Sequence, residues 1–135
     1  MSKAIIKSLV YSRPEVKDLA DQLRAHPNAY EPPVNHYFLD GMYCREAFAV
    51  AGTLGVGATH TKGCFNLLIE GTMTVSNGDK EVVLKAPQIF IGGAGSEKIV
   101  YAVTDVIWVN VFRTDATTVE EAEKELFVEN IYKEK

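Results

Sequence analysis

The sequence predicts an all-β protein whose short strands close into a barrel or pack as two sheets, and three observations carry that expectation. Between Tyr37 and Thr114, short β-like runs alternate with glycine-rich turns. Ser76-Asn77-Gly78-Asp79 separates two of these runs, and Asn-Gly suits a tight hairpin because both central residues accept positive φ. The chain's 135 residues, 47% hydrophobic and 24% charged, match one globular domain with enough apolar surface to bury. That composition excludes disorder as the main state.

Residues 1–35 read as an N-terminal extension. Its apolar run from Ala4 to Val10 alternates poorly. Ser12-Arg13-Pro14-Glu15 then reads as a helix start, with Ser12 or Arg13 near the cap and proline in the first turn. Val16, Leu19, Ala20 and Leu23 recur at helical spacing, Pro27 ends the helix, and Pro32-Pro33 leads out extended. Residues 36–114 make the barrel, with strands expected at 43–50, 54–60, 65–69, 72–75, 81–84, 88–91, 98–103 and 106–112. Residues 115–135 make an acidic helix and tail. Thr117 or Thr118, with Glu120 or Glu121 three residues on, fits a capping box, and the early acids suit the helix dipole. Val119, Ala122, Leu126 and Phe127 form its apolar side, expected to pack outside the barrel or on a partner subunit.

Charge and cysteine usage narrow the function classes. The net charge of −4 argues against broad binding to nucleic-acid polymers. From Asp115 onward seven acids face three bases, so the tail holds the whole excess and the body can still keep a cationic pocket. The longest fully apolar runs, such as Phe48 to Ala51, are too short to cross a bilayer, and no secretory-type cleavage site follows Met1. A cytosolic protein is expected. Cys44 and Cys64 lack CxxC spacing and read as small buried residues in a reducing compartment.

The stretch Gly57-Ala58-Thr59-His60-Thr61-Lys62-Gly63-Cys64-Phe65-Asn66, ending at Glu70-Gly71, resembles the first motif of the cupins. That motif runs glycine, HxH, an acid, then glycine. Ala86-Pro87, then Gly92-Gly93-Ala94-Gly95 and Lys98, resembles the second motif, in which a third His follows. The stretch from His36 to Glu46, the Ala51-Gly52-Thr53 turn and the Trp108 strand resemble a narrower group of small cupins found in bacteriophage genomes. The resemblance implies a double-stranded β-barrel of the jelly-roll type and, for a phage protein, residence in the host cytoplasm. In metal-binding cupins two His, a carboxylate and a third His converge on Fe, Mn, Ni or Zn. Here only His60 keeps its place, while Lys62, Asn66 and Lys98 stand at the other positions. No metal and no other cofactor is therefore expected.

If that alignment holds, His60, Lys62, Asn66 and Lys98 point into the cavity, and parity puts Trp108, Asn110 and Phe112 on one face of the last strand. Arg45 adds an anion contact from a neighbouring strand, and Tyr37 and Tyr43 stand at the cavity mouth. Ammonium groups, amides and an indole suit a small anion carrying a flat ring, such as a nucleotide. Each residue also has a plainer reading: the lysines as solvated strand ends, Trp108 as core, His60 as a hydrogen-bonded barrel residue. Gly92-Gly93-Ala94-Gly95 reads as a barrel turn rather than a phosphate loop, and Glu70 as a strand end.

Three functions follow. A metal-free cupin would bind a small anion, in a phage setting a host defence signal. A cupin epimerase or metal-dependent oxygenase would use His60 as its reactive group. A phage accessory protein would use the barrel only as a scaffold, as a homodimer or higher oligomer.

Overall fold

The computed structural model describes residues 8–9, 22, 25, 27, 32–57, 59–76, 80–95 and 98–128. Ten strands are among them: β1 (Ser8–Leu9), β2 (Val34–Leu39), β3 (Met42–Ala49), β4 (Leu54–Val56), β5 (Cys64–Glu70), β6 (Thr72–Ser76), β7 (Glu81–Lys85), β8 (Gln88–Gly92), β9 (Ile99–Ala102) and β10 (Val106–Arg113). They form a six-stranded sheet, β1-β8-β5-β10-β3-β2, and a four-stranded sheet, β4-β9-β6-β7. All pairings are antiparallel except β1 with β8. The expected helix of the first 35 residues shows only in Gln22 and Ala25, which are helical; the rest of it, with Tyr11, Tyr30 and Asn77-Gly78-Asp79, lies outside the described residues. The hairpin itself is present, since Ser76 pairs with Glu81.

Alternation along the strands sorts the core. In β5 and β8 every second residue is buried, Cys64, Asn66 and Leu68 in one and Gln88, Phe90 and Gly92 in the other. The four-stranded sheet turns Met73, Val75, Leu84 and Ala102 inward, and these pack with Leu68, Phe90 and Val106 as one apolar cluster. A second cluster, Tyr43, Cys64 and Phe112 with Ala122 and Leu126, lies at the opposite end of the barrel.

That second cluster includes α1 (Val119–Leu126). Thr118 caps it: its hydroxyl accepts the Glu121 N–H and donates to the Glu121 carboxylate, the expected capping box. Ala122 and Leu126 are fully buried against the barrel's own side chains. The helix is therefore a plug in one end of the barrel, where an external or intersubunit position was expected.

The strand expected at 54–60 stops at Val56. Beyond it the backbone finds partners in the chain's C-terminal segment: Thr61 N donates to Leu126 O, Val128 N donates to Thr59 O, and His60 bridges Phe127. The segment thus leaves the four-stranded sheet to pair with the end of the plug. This change alters what faces the interior.

Candidate functional site

Register carries three rows of inward side chains across the six-stranded sheet. One row, Phe38–Tyr43–Phe112–Cys64–Gly92, sits under the plug, and another, Val34–Ala47–Trp108–Leu68–Gln88, meets the apolar cluster. Between them runs His36–Arg45–Asn110–Asn66–Phe90. Its exposure falls steadily from the β2 edge inward. His36 and Arg45 are half-buried, Asn110 is 9% exposed and Asn66 is 0% exposed. A polar track therefore leads from the sheet edge to the barrel's centre.

The two amides are ordered by each other. Asn66 Oδ1 accepts Asn110 Nδ2 at 2.5 Å and Trp108 Nε1 at 3.0 Å. Both amide nitrogens also point at Cys64 Sγ, each at 3.8 Å. Cys64 Sγ lies 3.6 Å from His60 Nδ1, within hydrogen-bond reach of a sulfur, with the tautomer of the imidazole setting which of the two donates. Burial pushes the Cys64 thiol up, opposed by Lys98 and the amides. Burial, with the positive charges of Lys98 and Arg45 nearby, lowers His60 to about 3. The imidazole is thus neutral near pH 7, wedged against Phe112 and Phe127.

Lys98 enters from the opposite sheet, just before β9, and is 4% exposed. Gly92 leaves room for it: a Cβ built there would stand 2.9 Å from Asn66 Nδ2 and 3.2 Å from Lys98 Nζ, so a side chain at this position would crowd both groups over β8. Burial lowers the Lys98 pKa, the mark of a cation held in a poorly solvated place. In the adjoining row Gln88 is 8% exposed, and its Nε2 has no hydrogen-bond partner among the described residues.

Of the expected site residues, His60, Asn66, Lys98, Asn110, Arg45 and Trp108 come together. Three do not. Lys62 is exposed and paired with Glu125 of the plug, because residues 61–63 form a bend and strand parity does not extend from His60 to position 62. Tyr43 is not at a mouth: it is fully buried, stacked against Phe38 and Phe112, with its hydroxyl 2.6 Å from His36 Nδ1. Tyr37 is exposed and donates to Glu46 on the outer face. Phe112 does join His60 and its neighbours: it is 1% exposed, lies edge-on to His60 with ring centroids 5.2 Å apart, and packs in the second apolar cluster. Cys64, His36 and Gln88 are site neighbours that sequence reasoning missed. Parity with Asn66 was enough to find Cys64, whereas His36 and Gln88 needed the register.

No protein-family model matches the sequence, and no curated protein does. Solved structures do resemble the fold. A cupin superfamily protein from Desulfitobacterium hafniense is 12% identical with a TM-score of 0.52, covering 69% of this chain and 88% of that one. The cupin domain of a Schizosaccharomyces pombe protein gives 13% and 0.53, covering 71% and 70%. The chain has the cupin fold. An HTH_3 family transcriptional regulator from Vibrio cholerae shares it at 14% identity and a TM-score of 0.53, over 73% of this chain, which spans only 60% of the regulator's length.

The cupin motif positions here do not suit a divalent metal. Asn66 offers an amide oxygen that already accepts two N–H donors, Lys98 brings an ammonium, and Lys62 points away. Among the described residues, no group of three or more His, Cys, Asp or Glu side chains is placed to hold an ion. No helix among them is long and apolar enough to cross a membrane.

Proposed function

We propose that this cupin binds a small anionic ligand in its barrel without a metal. Lys98 and Arg45 supply positive charge, while Asn66, Asn110 and the neutral His60 supply hydrogen bonds. The observation that carries the reading is the polar track whose burial deepens from Arg45 to Asn66 while Lys98 converges on the same centre. An anion at this centre would sit beside the positive charge of Lys98, whose burial lowers its pKa, and within reach of amide donors. Gln88 Nε2 is a further inward donor in search of an acceptor. Half-buried Trp108 lies beside this centre and offers an indole to a flat ring, which favours a nucleotide-like anion over a bare one.

The enzyme alternative draws less support from the geometry. A general base works best with a pKa near the operating pH, and His60 at about 3 is a weak one. Capture of a host defence nucleotide by a phage-encoded cupin is one version of the binding reading, and it rests on the sequence resemblance alone.

Native mass spectrometry of the protein purified from cells, with metal analysis of the same sample, tests the proposal. A co-purified anion without stoichiometric metal supports it. Stoichiometric Fe, Mn, Ni or Zn would overturn it. So would the absence of any stabilisation by nucleoside monophosphates and sugar phosphates in a thermal-shift screen.

A further inference from the structure

The wall around the barrel's polar centre is not held with equal strength on all sides. One end is filled by Leu68 and Phe90 of one sheet packed with Met73, Val75 and Leu84 of the other. The sides are continuous ladders, β8-β5-β10-β3 in one sheet and β4-β9-β6-β7 in the other. Opening either would empty an apolar core or break a run of backbone hydrogen bonds. His60, Cys64, Asn66 and Lys98 are each 7% exposed or less, so a solute reaches them only when part of the wall moves. The remaining part is α1.

The plug is fastened locally. α1 has 8 residues, short of the roughly 12–15 an isolated helix needs for even marginal stability in water, so it is helical because it is docked. Ala122 and Leu126 are its buried side chains. Thr61 N donates to Leu126 O and Val128 N to Thr59 O, each at 2.8 Å, and the Thr61 hydroxyl donates to Glu125 O at 2.7 Å. The Glu125 carboxylate accepts Lys62 Nζ and, at 2.8 Å, the Thr114 hydroxyl. The Lys62 and Glu125 side chains are 51% and 37% exposed, so water competes for their pair. Residues 114–118, between β10 and α1, belong to neither element and supply a hinge.

A groove of about 570 Å³ approaches this end from outside. Asp40, Met42, Phe65 and Arg113 border it, and it extends to Cys64 and Phe112, members of the cluster that Ala122 and Leu126 complete.

We infer that α1 is a lid. It pivots about residues 114–118, releases Thr59 and Thr61, and joins the outer groove to Cys64, His60 and Lys98. Glu125 is its latch, since one carboxylate ties the helix to both Lys62 and Thr114. The lid rests on packing and hydrogen bonding and does not depend on the anion-binding reading.

Native-state thiol labelling tests it, with Cys64 as reporter. In the full chain carrying Cys44→Ala, Cys64 is the sole thiol, and an aromatic disulfide reagent at a fixed, mildly alkaline pH reads its exposure. Cys64 is expected to label in the folded protein at a rate that Val75→Ala, in the opposite cluster, leaves unchanged while lowering the urea midpoint. Glu125→Ala is expected to raise that rate about 10-fold, and Thr61→Val serves where Glu125→Ala fails to fold. Labelling that Val75→Ala accelerates as much as Glu125→Ala runs through global unfolding and overturns the lid. So does local labelling indifferent to both Glu125→Ala and Thr61→Val, which would place the entrance at the half-buried His36–Arg45 edge. Adenosine monophosphate separates the two readings. Local labelling that it slows supports both, and local labelling that it leaves unchanged supports the lid while counting against the anion.

Discussion

Trp108 donates its indole N–H to Asn66 Oδ1 at 3.0 Å, and the same oxygen takes Asn110 Nδ2 at 2.5 Å. One fully buried carbonyl therefore serves donors from two positions of β10. Asn66→Ala would leave both donors without their acceptor in a region closed to water. The expected cost is about 3 kcal/mol, read as a lower urea midpoint at an unchanged m-value. Trp108→Phe removes one donor only and is expected to cost about half as much. A smaller effect for Asn66→Ala than for Trp108→Phe would contradict this account of the network.

Lys98 and Lys62 separate the two meanings a lysine can have here. Lys98→Met keeps the stem and removes the charge at the barrel's centre, so anion stabilisation in a thermal-shift assay is expected to vanish. Lys62→Ala breaks an exposed pair with Glu125, which salt and water already screen. Stabilisation by the same anion is expected to persist in that variant, and its loss would return Lys62 to the site.

Gly92 makes a prediction from space alone. Gly92→Ala drives a methyl group to within 2.9 Å of Asn66 Nδ2 and 3.2 Å of Lys98 Nζ. Part of the strain can relax through the flexible lysine, so a loss of about 1–2 kcal/mol is expected. Anion binding should fall with it, because Lys98 must move aside. Full binding in a stable Gly92→Ala protein would count against Lys98 as a ligand contact.

His60 gives the chain a pH dependence whose sign follows from its burial. The unfolded chain takes a proton near pH 6.5, whereas the folded imidazole refuses one until about pH 3. Stability is therefore full above about pH 6.5 and is lost as pH falls through that window, at up to about 1.4 kcal/mol per pH unit. Comparing urea midpoints at pH 7 and 5.5 limits the contribution of carboxylates. The wild type is expected to lose stability across that interval and His60→Gln to lose markedly less. Equal slopes would place His60 in contact with solvent or a proton acceptor.

The barrel was legible because strand-forming runs and glycine turns act locally. The capping box at Thr118 and Glu121, the hairpin between Ser76 and Glu81 and the strand-end position of Glu70 all followed from short-range rules. The inward pair Asn66 and Asn110 was legible too, since alternation within a strand needs no knowledge of the partner strand. Lys62 failed because parity was carried through residues 61–63, which bend. The signal that breaks the strand is a set of hydrogen bonds to residues 125 and 126, far along the chain.

By itself the sequence determined most of the strands and turns from residue 42 onward, though not β2 or the end of β4, and it determined which amides point inward within a strand and how the last helix begins, because those choices rest on neighbours a few residues away. Tertiary structure alone decided that α1 plugs the barrel, that Tyr43 is core, and that Lys98 and Asn66 both reach the space over Gly92. Each of those depends on segments distant in sequence filling one shared volume. Packing in that volume, rather than local propensity, selects which polar groups can meet at its centre.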